Sequence, residues 1–404
     1  REILTLYLNR APCGGTLQGV AAASWAYLGK PPSQLTHAEA ALFAVLPQAP
    51  SRLRPDRHPQ AAQAARDKVL RRLAAFAIWT PTQIGEALEE PVLLAPRQEP
   101  RLAPLLARRL NGKDSPALIR TTLDAALQRR LEDLLLGCTN HRQLLAAHAN
   151  MAVRAYLGSV DINDQRRFGH VDMINAQRSP GSTLKPFLYG MALDAGLIHS
   201  ESLLQDVPRR YGDYRPGNFA AGFSGPVSAS EALASSLNLP AVQLLEAFGP
   251  KRFAGELRAA GVPLSLPALA EPNLAIILGG AGSRLEELVG GYRALAQGGK
   301  AARIRLQPDA PLLERRLLSP GSAWIIRRIL SGQSRPERDP RGAVQQGSQL
   351  AWKTGTSYGF RDAWAIGVGP RYLIGIWIGR PDGTPVPGQF GLASAAPLML
   401  QVHD

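Results

Sequence analysis

The sequence predicts a multidomain chain, in which an all-α segment is followed by a linker and then by a larger α+β domain. Three observations support this prediction. Apolar residues keep helical spacing over residues 1–80, the stretch 90–115 is rich in Pro and Arg but weakly periodic, and strand-like alternation first appears at 151–159. With 404 residues, the chain has room for two or three domains, each with its own core.

The first domain, residues 1–82, is predicted to consist of helices. Thr36 and Glu39 have the spacing of a capping box, in which each side chain bonds the backbone N–H of the other residue. A basic helix is predicted over about 60–76, and Thr80 is predicted to cap the helix that follows.

Residues 83–145 are predicted to form an interdomain linker region that ends with a helix capped near Asp124. The α+β domain then spans 146–404. Its strands are predicted near both ends of the domain, at 151–159, 350–357, 362–368 and 372–379. The last two strands are separated by the turn residues 369–370, which favour an antiparallel hairpin. Because the middle, 180–330, has mostly helical spacing, strands from distant parts of the chain are expected to share one sheet.

The composition is that of an ordinary globular protein, with 45% hydrophobic and 19% charged residues and a formal net charge of +14. This charge favours an anionic partner. The basic residues are scattered and do not alternate with aromatic residues, so nucleic acid is not the expected partner. Cys13 and Cys138 are too few and too distant in sequence for a disulfide framework or a metal cluster, and no metal site is predicted.

The chain begins at Arg1 inside an amphipathic pattern, without Met or a cap, and no stretch has the roughly 18 apolar residues of a membrane-spanning helix. We expect the sequence to be an excised piece whose N-terminus lies elsewhere.

A hydroxyl and an amine stand three residues apart at Ser182 and Lys185, in the one S-x-x-K of the sequence. If the segment is helical, the two groups lie on one face. Pro186 is tolerated only in a first turn, so Ser182 is expected at a helix N-terminus, where unpaired N–H groups favour developing negative charge. A serine needs a base to take its proton. A desolvated lysine can be that base, and arginine cannot, which singles out Lys185 among 7 lysines and 39 arginines.

Two further motifs follow along the chain. Ser236 and Asn238 come late in a helix that Ser228 is predicted to open with a capping box and Pro240 is predicted to end. A hydroxyl and an amide that project from a turn between helices can relay a proton to a leaving amine and hold a substrate amide.

Lys353, Thr354 and Gly355 lie on a predicted strand that continues with Thr356. A glycine in a strand lets another backbone approach closely, which suits an extended peptide bound along that edge.

Each motif also has a purely structural interpretation, with Ser182 as a helix cap, Asn238 as a helix-ending residue and Gly355 as a bulge. Typical residue frequencies give roughly one chance S-x-x-K and one chance S-x-N per 400 residues. The three motifs in this order, on a helix start, an interhelix turn and a strand, nevertheless favour a serine acyl-transferase site.

These motifs and their surroundings resemble the class A, bifunctional penicillin-binding proteins, most closely their 1C type. The resemblance extends over nearly the whole chain. In the second domain it is carried by Phe168–Asn175, Arg178–Pro186, Tyr214–Asn218, Leu278–Gly280, Trp352–Ser357 and Asp362–Trp364. It implies a partial all-α, lysozyme-like glycosyltransferase domain over 1–82 and an α+β transpeptidase domain of the penicillin-binding and serine β-lactamase type over 146–404.

By this resemblance, Ser182 attacks the carbonyl group between the two terminal D-alanines of a peptidoglycan stem peptide, and Lys185 takes its proton. Ser236 and Asn238 assist protonation of the leaving group and positioning of the substrate. An amine of a neighbouring stem peptide then attacks the acyl-enzyme and forms the cross-link.

The same resemblance assigns the binding groups. Lys353 and Thr354 hold the terminal carboxylate, next to Gly355. The backbone N–H groups of Ser182 and Thr356 form the oxyanion hole.

Residues 1–80 resemble the C-terminal part of the family's glycosyltransferase domain, which polymerises a lipid-linked disaccharide. The essential acidic residue of that domain belongs to a motif before Arg1, and a second acidic position of the family is here Thr5. Glu2, one helical turn away, is either a substitute or a solvated helix residue. This piece is therefore expected to make no glycan.

The partners implied by the resemblance are stem peptides, the lipid-linked disaccharide precursor and β-lactam antibiotics as covalent inhibitors. It also implies anchoring in the bacterial inner membrane, on the periplasmic side, through a segment absent from this sequence. No cofactor is implied. Two alternatives stay open: a DD-carboxypeptidase or serine β-lactamase, which passes the acyl group to water, and a penicillin-sensing module that is acylated without turnover.

Overall fold

The computed structural model describes residues 2–95, 102–116, 118–136, 142–219, 222–332 and 350–404. The chain divides into two compact units, 1–101 and 102–404. This division falls inside the region 83–145, whose role as a linker between two functional domains stays a prediction. Cys138 lies outside the described residues. In the part of the chain that the structure describes, no helix is both long and apolar enough to cross a bilayer.

The first unit is mainly helical. Its described elements are α1 (Glu2–Arg10), β1 (Pro12–Gly14), β2 (Leu17–Gln18), α2 (Val20–Leu28), α3 (His37–Val45), α4 (Pro59–Ala75) and α5 (Pro81–Glu89). Both predicted caps are confirmed: Thr36 and Glu39 form a reciprocal capping box before α3, and Thr80 forms one with Gln83 before α5. Glu2 and Thr5 both lie exposed on α1.

The second unit begins with two helices that precede its sheet, α6 (Pro104–Leu110) and α7 (Ala125–Leu136). Asp124 accepts hydrogen bonds from the N–H groups of Ala126 and Leu127, as a helix cap does. The helix α6 lies within the weakly periodic stretch 90–115, since a helix of seven residues is too short to show a clear period.

The sheet of the second unit has the strand order β4-β3-β11-β10-β9 and is antiparallel throughout. Its strands are β3 (Arg142–His148), β4 (Val153–Leu157), β9 (Ala351–Thr356), β10 (Asp362–Val368) and β11 (Tyr372–Gly379). The predicted hairpin of the last two strands is confirmed. The strand β3 was not predicted, since its Leu and Ala residues favour a helix locally and only pairing with β4 and β11 makes it a strand.

Between the two groups of sheet strands the chain is mostly helical, as predicted. The elements there are α8 (Lys185–Asp194), β5 (Leu203–Asp206), β6 (Gly225–Ser228), α9 (Ala229–Ala234), α10 (Asn238–Phe248), α11 (Pro250–Ala259), α12 (Leu285–Tyr292), β7 (Lys300–Ala302), β8 (Glu314–Arg316) and α13 (Pro320–Ser331). The short strands β5 to β8 were not predicted. The chain continues after β11 into α14 (Ala396–His403).

Both faces of the sheet are buried. One face packs with α8, α12 and their neighbours into the larger apolar core, which includes Phe187, Tyr292 and Trp377. The other face forms a second core with α7 and α14. Because β9 is an edge strand, one of its sides is free of strand pairing, and the turn before α8 lies against it.

Candidate active site

The serine of the first motif lies in a 3-10 turn, Gly181–Leu184, that leads directly into α8. In such a turn, residues three apart eclipse one another, and this geometry supports the prediction that Ser182 and Lys185 lie on the same side. Two hydrogen bonds fix the turn: the Thr183 hydroxyl donates to the Pro180 carbonyl at 2.9 Å, and the Tyr292 hydroxyl donates to the Thr183 carbonyl at 2.7 Å. The nucleophile candidate is therefore held by backbone that cannot shift easily.

The serine turn and β9 are in close backbone contact. Gly181 has φ +52°, and a Cβ there would lie 2.5 Å from the carbonyl oxygen of Thr356. On the strand side, a Cβ at Gly355 would collide with the carbonyl oxygen of Pro180. The glycine at position 355 is predicted to let another backbone approach closely. In the structure, the backbone that approaches Gly355 is that of the serine turn. A contact between Gly355 and a substrate peptide stays a prediction.

Lys185 is fully buried at the start of α8. Its Nζ atom donates to the carbonyl oxygens of Ser236 at 2.7 Å and Leu237 at 3.0 Å, and to Oδ1 of Asn238 at 2.7 Å. Burial, and after it the positive charge of Lys353, hold the pKa of Lys185 well below its ordinary value. The first two motifs are thus joined through one amine.

The second motif lies between α9 and α10. Ser236 has φ +58°, a strained conformation for a residue with a side chain. Asn238 is the first residue of α10, so Pro240 occupies the first turn of a new helix. The prediction that Pro240 ends a helix was therefore wrong. Of the predicted capping box, the structure shows the bond from the Glu231 N–H to the Ser228 hydroxyl.

Lys353 lies on β9, where it is 1% exposed. Its Nζ atom donates to the Ser236 hydroxyl at 2.7 Å and to the carbonyl oxygen of Thr354 at 2.9 Å. Burial lowers the pKa of Lys353 to about 7, so the side chain is only partly charged at neutral pH. The Ser236 residue therefore contacts both lysines, with its carbonyl oxygen on one and its hydroxyl on the other.

The free edge of β9 presents backbone donors. The N–H of Ser357 donates to the carbonyl of Asp362, which begins β10. Consecutive N–H groups of a strand alternate between its two edges, so the N–H of Thr356 points to the unpaired side. That is the side on which a Cβ at Gly181 would lie 2.8 Å from the Thr356 nitrogen. Thr356 also accepts a hydrogen bond from the Gly391 N–H through its hydroxyl, at 3.0 Å.

These residues surround a cleft of about 1580 Å³. Seven of the eight residues that the sequence singled out line it: Ser182, Ser236, Asn238, Lys353, Thr354, Gly355 and Thr356. Lys185 is not part of the lining and lies behind Ser182 and Asn238. A ligand in the cleft would therefore meet the Ser182 hydroxyl, which is half-buried, before it could meet the Lys185 amine.

An aromatic cluster that was not predicted from the sequence also lines the cleft. The ring of Phe219, 62% exposed, lies 6.0 Å from that of Phe360 and 5.4 Å from that of Phe390. All three residues line the cleft and come from separate loops. No local sequence signal links them, because the contact depends on the tertiary arrangement of the loops.

A buried ion pair supports the approach to the serine turn. Arg178 donates through Nε to Asp362 at 2.7 Å, and the indole of Trp377 donates to the same carboxylate oxygen at 3.0 Å. The guanidinium also lies over the Trp377 ring, 5.3 Å from its centre. Arg178 and Asp362 lie in segments that carried the family resemblance, but the sequence alone did not show that they pair.

Together these residues are of the types that acyl transfer uses. A serine hydroxyl at a helix start, a buried amine on its own side and N–H donors on the facing strand are the parts that an attack on a carbonyl group needs. In its charged form, the lysine of β9 adds a place for an anionic group of a ligand.

Comparisons with known proteins match both parts of the chain. The family model described as Transglycosylase matches residues 1–74, and the one described as Penicillin binding protein transpeptidase domain matches 147–266. The chain is 63% identical to Penicillin-binding protein 1C of Escherichia coli (strain K12), an alignment that covers 100% of the chain and 53% of that relative. It is 26% identical to Penicillin-binding protein 1F of Bacillus subtilis (strain 168), over 94% of the chain and 58% of that relative. The chain thus spans little more than half the length of these relatives.

Solved structures share the fold. The crystal structure of Penicillin-Binding Protein 1A from Haemophilus influenzae aligns with a TM-score of 0.67 at 18% identity, covering 100% of the chain and 85% of that protein's chain. The PonA1 protein from Mycobacterium tuberculosis, solved in complex with penicillin V, aligns with a TM-score of 0.60 at 21% identity, covering 75% and 90%.

Proposed function

The chain belongs to the class A penicillin-binding proteins, and from that premise we propose that its second unit is a serine DD-transpeptidase that cross-links peptidoglycan stem peptides. The observation that carries the proposal is the pair of buried lysines on either side of Ser236, of which Lys185 lies outside the lining of the cleft while Lys353 lines it together with Ser182. Proton transfer needs an amine that is neutral at moderate pH, and burial of Lys185 favours that form.

In the proposed first step, the Ser182 oxygen attacks the carbonyl carbon between the two terminal D-alanines while its proton passes to Lys185. The oxyanion is stabilised by the N–H groups of Ser182 and Thr356. When the tetrahedral intermediate collapses, the C–N bond breaks and the departing D-alanine takes the proton that Lys185 accepted, relayed by the Ser236 hydroxyl. In the second step, an amine of another stem peptide attacks the ester carbon and loses a proton to Lys185. The bond between that carbon and the Ser182 oxygen then breaks, and the Ser182 oxygen takes the proton back from Lys185.

The hydrogen bonds of Lys185 place a condition on this role. Three oxygens accept from Nζ, which matches the three N–H directions of an ammonium group. A neutral amine has two N–H groups and one lone pair. For Lys185 to accept the Ser182 proton, one of the three bonds must be released so that the lone pair can face the serine.

Lys353 and Thr354 are proposed to bind the terminal carboxylate of the substrate. An anion that enters the cleft would favour the charged form of Lys353, whose pKa of about 7 leaves it poised between both forms. Binding of the carboxylate and protonation of Lys353 would then support each other.

For the whole protein, the same membership supports glycan polymerisation from a lipid-linked disaccharide in addition to cross-linking, with β-lactams as covalent inhibitors. It supports a place in the bacterial cell envelope, and we propose the periplasmic side of the inner membrane. No residue of the first unit is assigned to the polymerisation step.

The proposal is tested with the 404-residue chain and penicillin V. A β-lactam imitates the D-alanyl-D-alanine bond, so one molecule should attach covalently to each chain, and peptide mapping should find it on Ser182. Ser182→Ala should abolish the adduct, while Ser357→Ala, at a serine that follows β9 and also lines the cleft, should retain it. An adduct that persists in Ser182→Ala would contradict the assignment of the nucleophile.

Transpeptidation is distinguished from related reactions by its product. Incubation with stem peptides that carry an acceptor amine should release D-alanine and give a cross-linked peptide. Release of D-alanine with hydrolysis alone would indicate a carboxypeptidase, and rapid hydrolysis of penicillin V would indicate a β-lactamase. A stable adduct without any turnover of peptide would indicate a sensor.

A further inference from the structure

A chain of hydrogen bonds runs from a buried carboxylate to Lys185. Asp206, at the end of β5, accepts from Nδ2 of Asn218 with both carboxylate oxygens, at 2.8 and 3.0 Å. Oδ1 of Asn218 accepts from the backbone N–H of Asn238 at 2.9 Å. Oδ1 of Asn238 then accepts from Nζ of Lys185 at 2.7 Å. The proposed function assigns no role to Asp206 or Asn218.

The chemistry of the donors fixes the direction of this chain. A carboxylate only accepts hydrogen bonds, so Asn218 must turn its Nδ2 to Asp206 and its oxygen to Asn238. Asn238 in turn donates through Nδ2 to the carbonyl of Gly217 at 2.7 Å, which leaves its oxygen for Lys185. Both amides are thus oriented by the loop residues 217–218, and that loop is anchored on Asp206.

The anchor is deeply buried. Asp206 has 0% exposure, and in addition to Asn218 it accepts from the backbone N–H of Ser224 at 2.8 Å. Among the described residues no salt bridge involves Asp206, so its charge is stabilised by N–H donors alone. Burial of a carboxylate without a cation is costly. An uncharged residue at position 206 would avoid this free-energy cost. The buried carboxylate of Asp206 therefore points to a role beyond packing.

We propose that Asp206 and Asn218 are positioning residues, which hold the Asn238 amide so that its oxygen faces Lys185 and fixes the direction of the amine. This inference rests on the proposed function of Lys185 as the base toward Ser182. If the Asn238 amide loses its orientation, the amine keeps only its two backbone acceptors. Once one of these bonds is released for proton transfer, a single acceptor no longer fixes the direction of the lone pair.

The expected signature includes a change in pH dependence. An acceptor oxygen favours the ammonium form, so its loss favours the neutral amine and moves the midpoint of the acylation profile to lower pH. The positive charge of Lys353 on β9 also lowers the pKa of Lys185, and Lys353 is unchanged in all variants. Burial, and after it the charge of Asp206, raise the pKa of Tyr189 on α8. Tyr189 is not among the hydrogen-bond acceptors of Lys185. A purely structural role would lower the amount of folded protein without moving the midpoint.

The experiment measures the second-order constant of acylation by penicillin V against pH, with thermal melts for each protein. Asp206→Asn should slow acylation by about 10- to 100-fold at its plateau, the range expected when a reacting group is misplaced by about 1 Å, and should move the midpoint down. Asn218→Ala, at a half-buried position that should tolerate the change, is expected to act in the same way. Asp172→Asn is the matched control, because that carboxylate bonds Tyr156 and does not line the cleft.

An exchange of the two partners provides the rescue. Asp206→Asn combined with Asn218→Asp again places an amide opposite a carboxylate, and the carboxylate introduced at position 218 would still accept from the Asn238 N–H. The acylation constant and the midpoint should then return toward those of the unaltered chain. Folded Asn218→Ala protein that acylates within two-fold, with an unchanged midpoint, would overturn the inference. If the unaltered chain itself is not acylated on Ser182, the proposed function fails first, and the two failures are distinguishable.

Discussion

The two walls of the cleft each bury one lysine, and the two lysines have different surroundings. On the helical wall, Lys185 is enclosed by three acceptor oxygens and lies behind the lining. On the strand wall, Lys353 lines the cleft and donates to a hydroxyl and to its neighbour's carbonyl. Burial lowers the pKa of both. Under the proposed function, the same residue type, equally buried, serves proton transfer on one wall and contact with an anion on the other.

The strongest test of this comparison is Lys185→Arg. Arginine keeps the charge but cannot be deprotonated, so acylation by penicillin V should fall by about 10² to 10⁴, as expected for the loss of general-base catalysis. The second-order acylation constant measures the effect, and thermal melts verify that the buried guanidinium is tolerated. Near-normal acylation by folded Lys185→Arg would remove Lys185 from the base role.

The next largest effect is expected where the two walls meet, at Gly181. An alanine there would have φ +52° and a Cβ 2.5 Å from the Thr356 oxygen, which costs on the order of 1–3 kcal/mol and forces the serine turn away from β9. We expect a lower melting temperature and acylation slower by about 10- to 100-fold. Gly196→Ala is a suitable comparison, since Gly196 also has a positive φ but nothing lies within 4 Å of its Cβ position. Equal losses of acylation in both variants would show that backbone strain, and not the contact with β9, is responsible.

Lys353→Arg should be the milder of the two lysine changes. The guanidinium keeps the positive charge that a carboxylate needs, so we expect a loss of about tenfold or less, mainly in KM. Steady-state kinetics with a substrate that ends in a carboxylate measure it. A fall in kcat as large as that of folded Lys185→Arg would mean that both lysines take part in proton transfer, and the comparison would fail.

The smallest expected effect is a dependence of substrate affinity on pH. Lys353 is charged below its pKa of about 7 and neutral above it, so the affinity for a carboxylate should weaken by a few-fold as the pH rises through this value. The measurement compares KM from about pH 6 to about pH 9, on either side of that pKa, for a substrate with a terminal carboxylate and for its amide. Only the carboxylate should show the change, and an equal change for both would assign it to another group.

Much of the site could be predicted because its residues belong to short motifs. Ser182 and Lys185 are linked by local helical geometry, and β9 was visible from its own pattern. The Asp206 and Asn218 chain, the Arg178 pair with Asp362 and the contact of Phe219 with two other rings were not predictable, since each joins segments that only tertiary folding brings together.

The same reason explains the errors in the fold. Pro240 was taken as a helix end because proline breaks helices in their interior, yet the first turn of α10 accepts it. The strand β3 has Leu and Ala where a typical strand has β-branched residues, and its neighbours in the sheet decide its conformation. Local residue propensity predicts an element well when the element forms on its own. It predicts poorly when strand pairing in a sheet supplies the free energy that stabilises the element.

The strand order has a consequence for how the second unit is made. The hairpin β3–β4 is synthesised early, but β3 pairs on its other side with β11, and the chain from 149 to 371 lies between these two partners. A nascent chain that ends before β11 therefore carries a hairpin with an apolar, unpaired edge at what will become the interior of the sheet. Such edges can bind other chains, and contacts this distant in sequence form slowly. We expect premature termination after β4 and before the end of β11 to yield aggregation-prone protein, so the synthesis of β11 is itself the step that commits this unit to its native sheet.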